Sequence, residues 1–313
     1  MRIEELISIV IPVYNESDSL VYTVRAIKEI IAKENICCEI ILINDGSTDN
    51  TWEIIQNIAE SGGGIKAISF SRNFGKESAL LAGLAYASGK AVITMDSDLQ
   101  HPPETICKFL DVWKEGYKVV EGVKSNRGQE TVGYSLFAKG FYRMLSRALG
   151  KNLVNASDFK LLDREVVDVI LKMPEKQMFY RAITSWVGFK SITIEYEVKE
   201  RKYGKSKWTT VQLIQYAIRN ITSFTSAPLQ IITICSLLFL ALGIWQGILA
   251  IVKWATGSAL EGFTTVILLQ FISGSIIMFA LGLIGYYIAK LNDEIRNRPR
   301  YIIEEKIGLD ERN

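Results

Sequence analysis

Residues 7–13 read ISIVIPV, and Tyr14-Asn15-Glu16 follow at once. A short apolar run closed by polar residues reads as a strand buried on both faces. Leu20, Val24, Ile27 and Ile31 then recur at helical spacing. Residues 39–44 (EIILIN) form a second strand candidate, and Thr48 or Asp49 can cap the helix that carries Trp52, Ile55 and Ile58. The pattern repeats: strand 65–70, helix 75–88, strand 91–95, helix 103–115, strand 118–123. Strands alternating with helices predict an α/β fold with a mostly parallel sheet covered by helices on both faces. Such sheets bind ligands at the carboxyl ends of their strands. Polar clusters fall there: Asn15-Glu16, Asp45-Gly46-Ser47, Ser71-Arg72-Asn73 and Asp96-Ser97-Asp98.

The carboxyl-terminal third differs. The 313 residues carry 36 Lys and Arg against 34 Asp and Glu, a net charge of +2. That balance gives no reason to expect a nucleic-acid partner. Charged residues are only 22% and the mean hydropathy is +0.16, oily for a soluble protein. The excess is local, since residues 220–252 and 262–289 contain no Asp, Glu, Lys or Arg. A membrane helix needs about 20 apolar residues, so spans are expected near 229–252 and 263–289. Val211, Ile214, Ala217, Ile218, Ile221 and Phe224 lie at helical spacing before them. They predict an amphipathic helix on the membrane surface, with a core-packing helix as the alternative. The layout is then a catalytic domain over 1–208, a juxtamembrane helix over 209–227, two spans with a short loop over 228–290, and a tail over 291–313.

Lys199, Arg201, Lys202, Lys205, Lys207 and Arg219 precede the first span, and Lys290, Arg296, Arg298 and Arg300 follow the second. The intervening loop has only Lys253. Positive flanks stay inside. The expected location is the inner (plasma) membrane, with both termini and the catalytic domain cytoplasmic. The apolar run near the start is short and follows Glu4 and Glu5, unlike a signal peptide. Cys37, Cys38, Cys107 and Cys235 show no CxxC spacing and read as reduced thiols. The one histidine, His101, excludes a three-histidine metal site and reads as a polar residue at a helix entry, before Pro102-Pro103. Gly243 and Gly247 form a GxxxG that can serve helix packing, and the spans offer a surface for a homo-oligomer.

Asp96 and Asp98 end an apolar strand one residue apart, with the Gln100 amide two positions on. Hard oxygen donors in this pattern suit Mg²⁺ or Mn²⁺ shared with substrate phosphates. On spacing alone a solvated polar turn is equally compatible. Asp45 likewise reads either as an acceptor for a base or ribose, or as a turn and helix cap. Glu16 carries the same two readings.

Several ordered motifs bear on these alternatives by resemblance. Ile9-Val10-Ile11-Pro12-Val13-Tyr14-Asn15-Glu16, Asn44-Asp45-Gly46-Ser47-Thr48-Asp49 and Asp96-Ser97-Asp98-Leu99-Gln100-His101-Pro102-Pro103-Glu104 resemble the family-2 glycosyltransferases of GT-A fold. Within that family the chain is similar to the polyprenyl-phosphate glycosyltransferases. It looks related to dolichol-phosphate mannose synthases and closer to bacterial bactoprenol glucosyltransferases of the GtrB type. Residues 72–77 (RNFGKE), 158–164 (DFKLLDR), the two spans and Arg298-Pro299 extend the likeness over nearly the whole chain.

The resemblance implies that Pro12, Tyr14, Glu16 and Asp45 line a nucleoside pocket. Asp96 would approach the ribose and the cation, and Asp98 and Gln100 would ligate that cation. Asp158 would sit by the transferred sugar and the acceptor phosphate. Lys124, Arg127 and Lys139 are the implied acceptor-phosphate residues, though their local sequence departs from the dolichol-type pattern. Lys202, Lys205 and Lys207 either clamp phosphate or form a solvated positive patch. Tyr286 stands where relatives often carry an acidic residue and receives no role. The implied reaction is inverting transfer of one sugar, by likeness from UDP-glucose, to undecaprenyl phosphate. A processive polysaccharide synthase is the nearest alternative, but Gln177-Met178-Phe179-Tyr180-Arg181-Ala182 lacks the Gln-x-x-Arg-Trp motif of such enzymes. A non-catalytic membrane scaffold that binds a nucleotide sugar is the other.

The charge pattern makes a direct test of orientation. A cysteine placed at Ser258 should react with an impermeant reagent in intact cells, and tags at both termini should be protected. Labelling of the termini from outside would reverse the assignment.

Overall fold

The structure is a computed structural model that describes residues 3–124, 156–175, 179–197, 227–256 and 262–309. Arg127, Lys139, Lys202, Lys205, Lys207 and all but the last residue of the amphipathic helix expected over 209–227 lie outside the described residues.

The first half alternates as expected: β1 (Ile3–Val13), α1 (Leu20–Glu34), β2 (Ile36–Asn44), α2 (Thr51–Glu60), β3 (Ile65–Phe70), α3 (Lys76–Tyr86), β4 (Ala91–Thr94), α4 (Thr105–Lys114) and β5 (Val119–Lys124). Then come β6 (Ala156–Asp163), α5 (Arg164–Leu171), α6 (Tyr180–Trp186) and β7 (Ser191–Tyr196). The long helices α7 (Ala227–Ala255) and α8 (Phe263–Ile295) precede a last strand, β8 (Ile303–Ile307). One eight-stranded sheet runs in the order β7-β5-β6-β4-β1-β2-β3-β8. Its centre, β4-β1-β2-β3, is parallel, and β6 enters antiparallel between β4 and β5.

β1 explains why the opening stretch reads as it does. Ile7, Ile9, Ile11 and Val13 face a core with Leu20, Val24 and Ile27 of α1, Ile55 of α2 and Phe109 of α4. Val10 points the other way, into a second core with Ile41, Ile43 and Leu80, Leu81 and Leu84 of α3. Both faces of the strand are therefore apolar, and each fully buried Ile or Val contributes about 1.5–3 kcal/mol. Helix α2 begins slightly later than its expected cap: the Asp49 carboxylate accepts from the Thr51 N–H at 3.1 Å and its hydroxyl at 2.5 Å.

Within the tail expected over 291–313, α8 continues through Ile295 and β8 pairs antiparallel with β3. The edge of β3 presents a row of backbone donors and acceptors, which β8 satisfies. Tyr301 stacks on Phe70 at 5.0 Å, Arg300 donates to the Met173 carbonyl, and Glu305 accepts from Trp52 and Gln56, each at 3.2 Å. Residues Pro299–Asn313 accordingly group with Met1–Gln212 as one compact unit, and Leu213–Arg298 form the other. In that second unit Ile234–Lys253 and Leu269–Ile295 are long and apolar enough to cross a membrane and are not buried within the protein.

Helix and sheet approach closely at Gly83 of α3, where an added Cβ would lie 2.1 Å from Val10 Cγ1. Alanine favours a helix by about 1 kcal/mol over glycine, but overpacking typically costs about 1–3 kcal/mol. Gly83→Ala should therefore lower the melting temperature. The same change in a Val10→Ala background should not, because the clashing methyls are gone. Equal effects in both backgrounds would mean that this contact does not limit the packing.

Candidate active site

The loops at the carboxyl ends of β1, β2 and β3 are laced together by side chains. Asn15 donates its N–H to Ser47 Oγ at 2.9 Å and accepts from the Thr48 N–H at 2.8 Å. Asn15 takes φ +53°, a left-handed conformation that Asn tolerates better than most residues. Glu16 donates its N–H to Thr51 Oγ1 and accepts from the Ser19 hydroxyl at 2.8 Å. Asn44 Nδ2 donates to Ser69 Oγ. Pro12 is buried in β1, opposite Ile43, and Tyr14 is exposed beyond the strand end.

Asp45 is engaged by the next loop. Its Oδ1 accepts from the Phe74 N–H at 2.7 Å, and its Oδ2 from the Gly75 N–H at 2.9 Å. Burial pushes this carboxyl up to about 6, against the two N–H donors, which favour the charged form. Gly46 beside it has φ +62°, and a Cβ there would meet the backbone carbon of Arg72 at 2.3 Å. Asp45 and Gly46 thus hold residues 72–75 in place, and α3 starts directly after them. Asp45, expected at the nucleoside pocket, thus also supports the loop that leads into α3.

Lys76, the first residue of α3, reaches two carboxylates. Its Nζ lies 2.6 Å from Asp96 Oδ1, just past β4, and 2.6 Å from Asp158 Oδ2 on β6. Arg181 on α6 grips Asp158 with both arms, Nε to Oδ1 at 2.8 Å and Nη2 to Oδ2 at 2.9 Å. Burial opposes ionisation of Asp158, whose side chain is 7% exposed, but the charges of Arg181 and Lys76 outweigh it. The carboxyl is held well below the usual range. Asp96 is lowered in the same way, against burial, by Lys76 first and His101 second.

The backbone of this cluster is fixed from behind. Thr94 Oγ1 donates to the Asp158 carbonyl at 2.6 Å, so the Tyr180 hydroxyl, 2.9 Å away, donates to Thr94. The Asp96 N–H donates to His101 Nδ1 at 3.2 Å, and the imidazole stacks on Phe159 at 4.8 Å. His101 is therefore a buried support for the Asp96 turn. Deeper still, fully buried Lys160 pairs with Glu121 at 3.1 Å and donates to Thr184 Oγ1 at 2.7 Å.

Asp98 accepts from the Gln100 N–H at 3.1 Å, across Leu99, which takes the left-handed φ of +57°. The two carboxylates 96 and 98 are partly exposed at the strand end. Among the described residues no group of three His, Cys, Asp or Glu side chains forms a metal cage. Two hard carboxylates without a cage fit Mg²⁺ or Mn²⁺, which keep positions for water and substrate phosphate.

Of the residues expected at the site, the structure brings Asp96 and Asp158 together through Lys76, with Asp98 two residues from Asp96. Lys124 is the last residue of β5, opposite Tyr196 of β7. Lys76, Arg181 and Glu77 were not singled out from sequence. The signal was present for Arg181, a lone charge inside Phe179-Tyr180-Arg181-Ala182-Ile183, and for β6, where Asp158 and Lys160 alternate with Phe159 and Leu161.

A buried, ion-paired carboxylate and a strand-end acidic pair meet at one end of an open α/β sheet, and the comparisons name the family. Residues 8–171 match the model of glycosyl transferase family 2, and the chain belongs to that family. It is 36% identical to an uncharacterized glycosyltransferase, YkcC, of Bacillus subtilis (strain 168), over 97% of this chain and 94% of that protein. It is 35% identical to the SfII prophage-derived bactoprenol glucosyl transferase of Shigella flexneri, over 96% and 97%. Among solved structures it is similar to glucosyl-3-phosphoglycerate synthase from Mycobacterium tuberculosis in complex with Mn²⁺ and UDP-glucose, at 20% identity and TM-score 0.48, covering 70% of this chain and 77% of that one.

Glu77 gives the site a pH signature. Its Oε2 accepts from the Tyr180 N–H at 2.8 Å, while burial and then the Asp158 charge push its carboxyl up to about 7. The unfolded chain releases that proton near the ordinary ~4.3. This contribution to stability is complete below ~4.3 and is lost as pH rises through about 7. The melting temperature of the protein relative to Glu77→Gln should therefore fall between those pH values. A difference independent of pH would contradict the assignment.

Proposed function

We propose that this protein is a membrane-bound inverting glycosyltransferase that moves one hexose from a nucleotide sugar to a polyprenyl phosphate. By likeness the donor is UDP-glucose and the acceptor undecaprenyl phosphate. The observation that carries this reading is the end-to-end match to a bactoprenol glucosyl transferase, which includes both apolar helices. The spans tether the catalytic domain to the membrane in which such an acceptor resides. The catalytic domain and both termini lie on the cytoplasmic side of the plasma membrane, consistent with the basic flanks.

Asp96 and Asp98, with Gln100, are the residues that would hold Mg²⁺ or Mn²⁺. When bound, the cation would neutralise charge on the departing diphosphate. Pro12, Tyr14 and Glu16 border the donor at the end of β1. A phosphate oxygen of the acceptor forms the new bond to the anomeric carbon as the bond to the nucleoside diphosphate breaks. One displacement inverts that carbon and leaves no sugar on the enzyme.

The acceptor phosphate has a second pKa near ~6 and is largely ionised at neutral pH. It does not need a strong base. Asp158 is poorly suited to be one, since Arg181 and Lys76 hold its carboxyl well below the usual range. Its role is to fix those two cations beside the reacting groups.

Membranes given labelled UDP-glucose and undecaprenyl phosphate should yield a lipid-linked monosaccharide. A polymer would favour a processive synthase, and no product would favour a scaffold. Asp98→Ala should lower turnover at least ~100-fold, with folding intact, as loss of a main electrostatic contribution does. Asp158→Asn should retain more activity than Asp158→Ala. Equal inactivation of both, with donor binding unchanged, would restore Asp158 as an obligatory base.

A further inference from the structure

Lys76 stands at the first position of α3. The amino end of a helix carries partial positive charge and disfavours a cation there. Asp96 and Asp158 answer that cost, each 2.6 Å from Nζ. The two partners are not equivalent. Asp158 is also gripped by Arg181 on both oxygens, so it stays paired when Lys76 withdraws. Asp96 is held by Lys76 at a single oxygen, Oδ1. The Lys76 side chain is 39% exposed, so packing does not lock it in one position.

Resting on the reading of Asp96 and Asp98 as ligands of a divalent cation, we infer that Lys76 is an internal counter-ion. It competes with that cation for Asp96 and yields when cation and donor diphosphate arrive together. An ammonium sits 2.6 Å from Asp96 Oδ1, and it would repel a dication held by the same carboxylate. Asp96 and Asp158 pair with Lys76 and Arg181, and Asp98, two residues from Asp96, adds one further negative charge. A dication alone would tip this group positive, whereas the negative diphosphate restores the balance. Lys76 then remains beside Asp158, close to arriving anions. The chain alone should hold the metal weakly, and the nucleotide should strengthen it.

Mn²⁺ binding to the purified full chain, followed through the paramagnetic resonance of free Mn²⁺ with and without UDP, tests this directly. Lys76→Gln should bind Mn²⁺ about tenfold more tightly than the parent protein without UDP, and UDP should enhance its binding less. Lys76→Arg keeps the charge and should stay close to the parent. Lys76→Met, which keeps the stem and loses the ammonium, replaces the glutamine variant if that one unfolds. Unchanged or weaker Mn²⁺ binding in Lys76→Gln or Lys76→Met, while Asp98→Ala loses it, would overturn the counter-ion and leave the metal site standing. Parent-like Mn²⁺ binding in both Asp96→Asn and Asp98→Ala would overturn the metal site and the counter-ion with it.

Discussion

A carboxylate buried without partners costs several kcal/mol, and Asp158 is such a carboxylate with its cost removed from two sides. Arg181 comes from α6 and Lys76 from α3, and Asp158 itself lies on the antiparallel strand β6. Lys76 carries the link on to Asp96 beyond β4. Four elements distant in sequence are thereby held to one point. The parallel centre of the sheet supplies the strand ends, but the ion cluster decides how the inserted β6 and the following helices meet them. Removing either cation would leave the other to balance the buried charge alone.

The supports around the cluster follow the same logic of satisfied polar groups. Thr94 answers the Asp158 carbonyl, Tyr180 answers Thr94, and His101 answers the Asp96 N–H. Asp45 and Gly46 work one layer out. The first pins the N–H groups of Phe74 and Gly75, and the second lets the Arg72 backbone approach where a side chain would block it. Lys76 is positioned through that loop. The order of Asn-Asp-Gly in the sequence therefore reads as a clamp on the start of α3.

The alternation of strands and helices through residue 124 was legible because each buried strand is apolar on both faces and each helix shows a spaced apolar stripe. Beyond it the signals change. β6 mixes Asp158 and Lys160 with apolar residues, since one face meets a buried ion network, so no simple run marks it. β7 and β8 sit at the edges of the sheet, where an edge strand buries little; in β8 only Ile303 and Ile307 of five residues are apolar. The acidic residues of the site were legible from spacing and likeness. The cations were not, because Lys76 and Arg181 gain their meaning from partners 20 or more residues away.

The return of β8 to the sheet also constrains the path of the chain. Residues through Tyr196 and residues from Ile303 belong to the same sheet. A segment that leaves a domain and comes back to it crosses a membrane an even number of times. Crossings by both α7 and α8 would satisfy that condition, whereas a crossing by one of them alone would not. This argument uses only backbone pairing and is independent of the Lys and Arg count that favours the same arrangement. The edge strand therefore does two things at once: it covers the open side of β3, and it ties the far end of the second apolar helix to the domain that precedes the first.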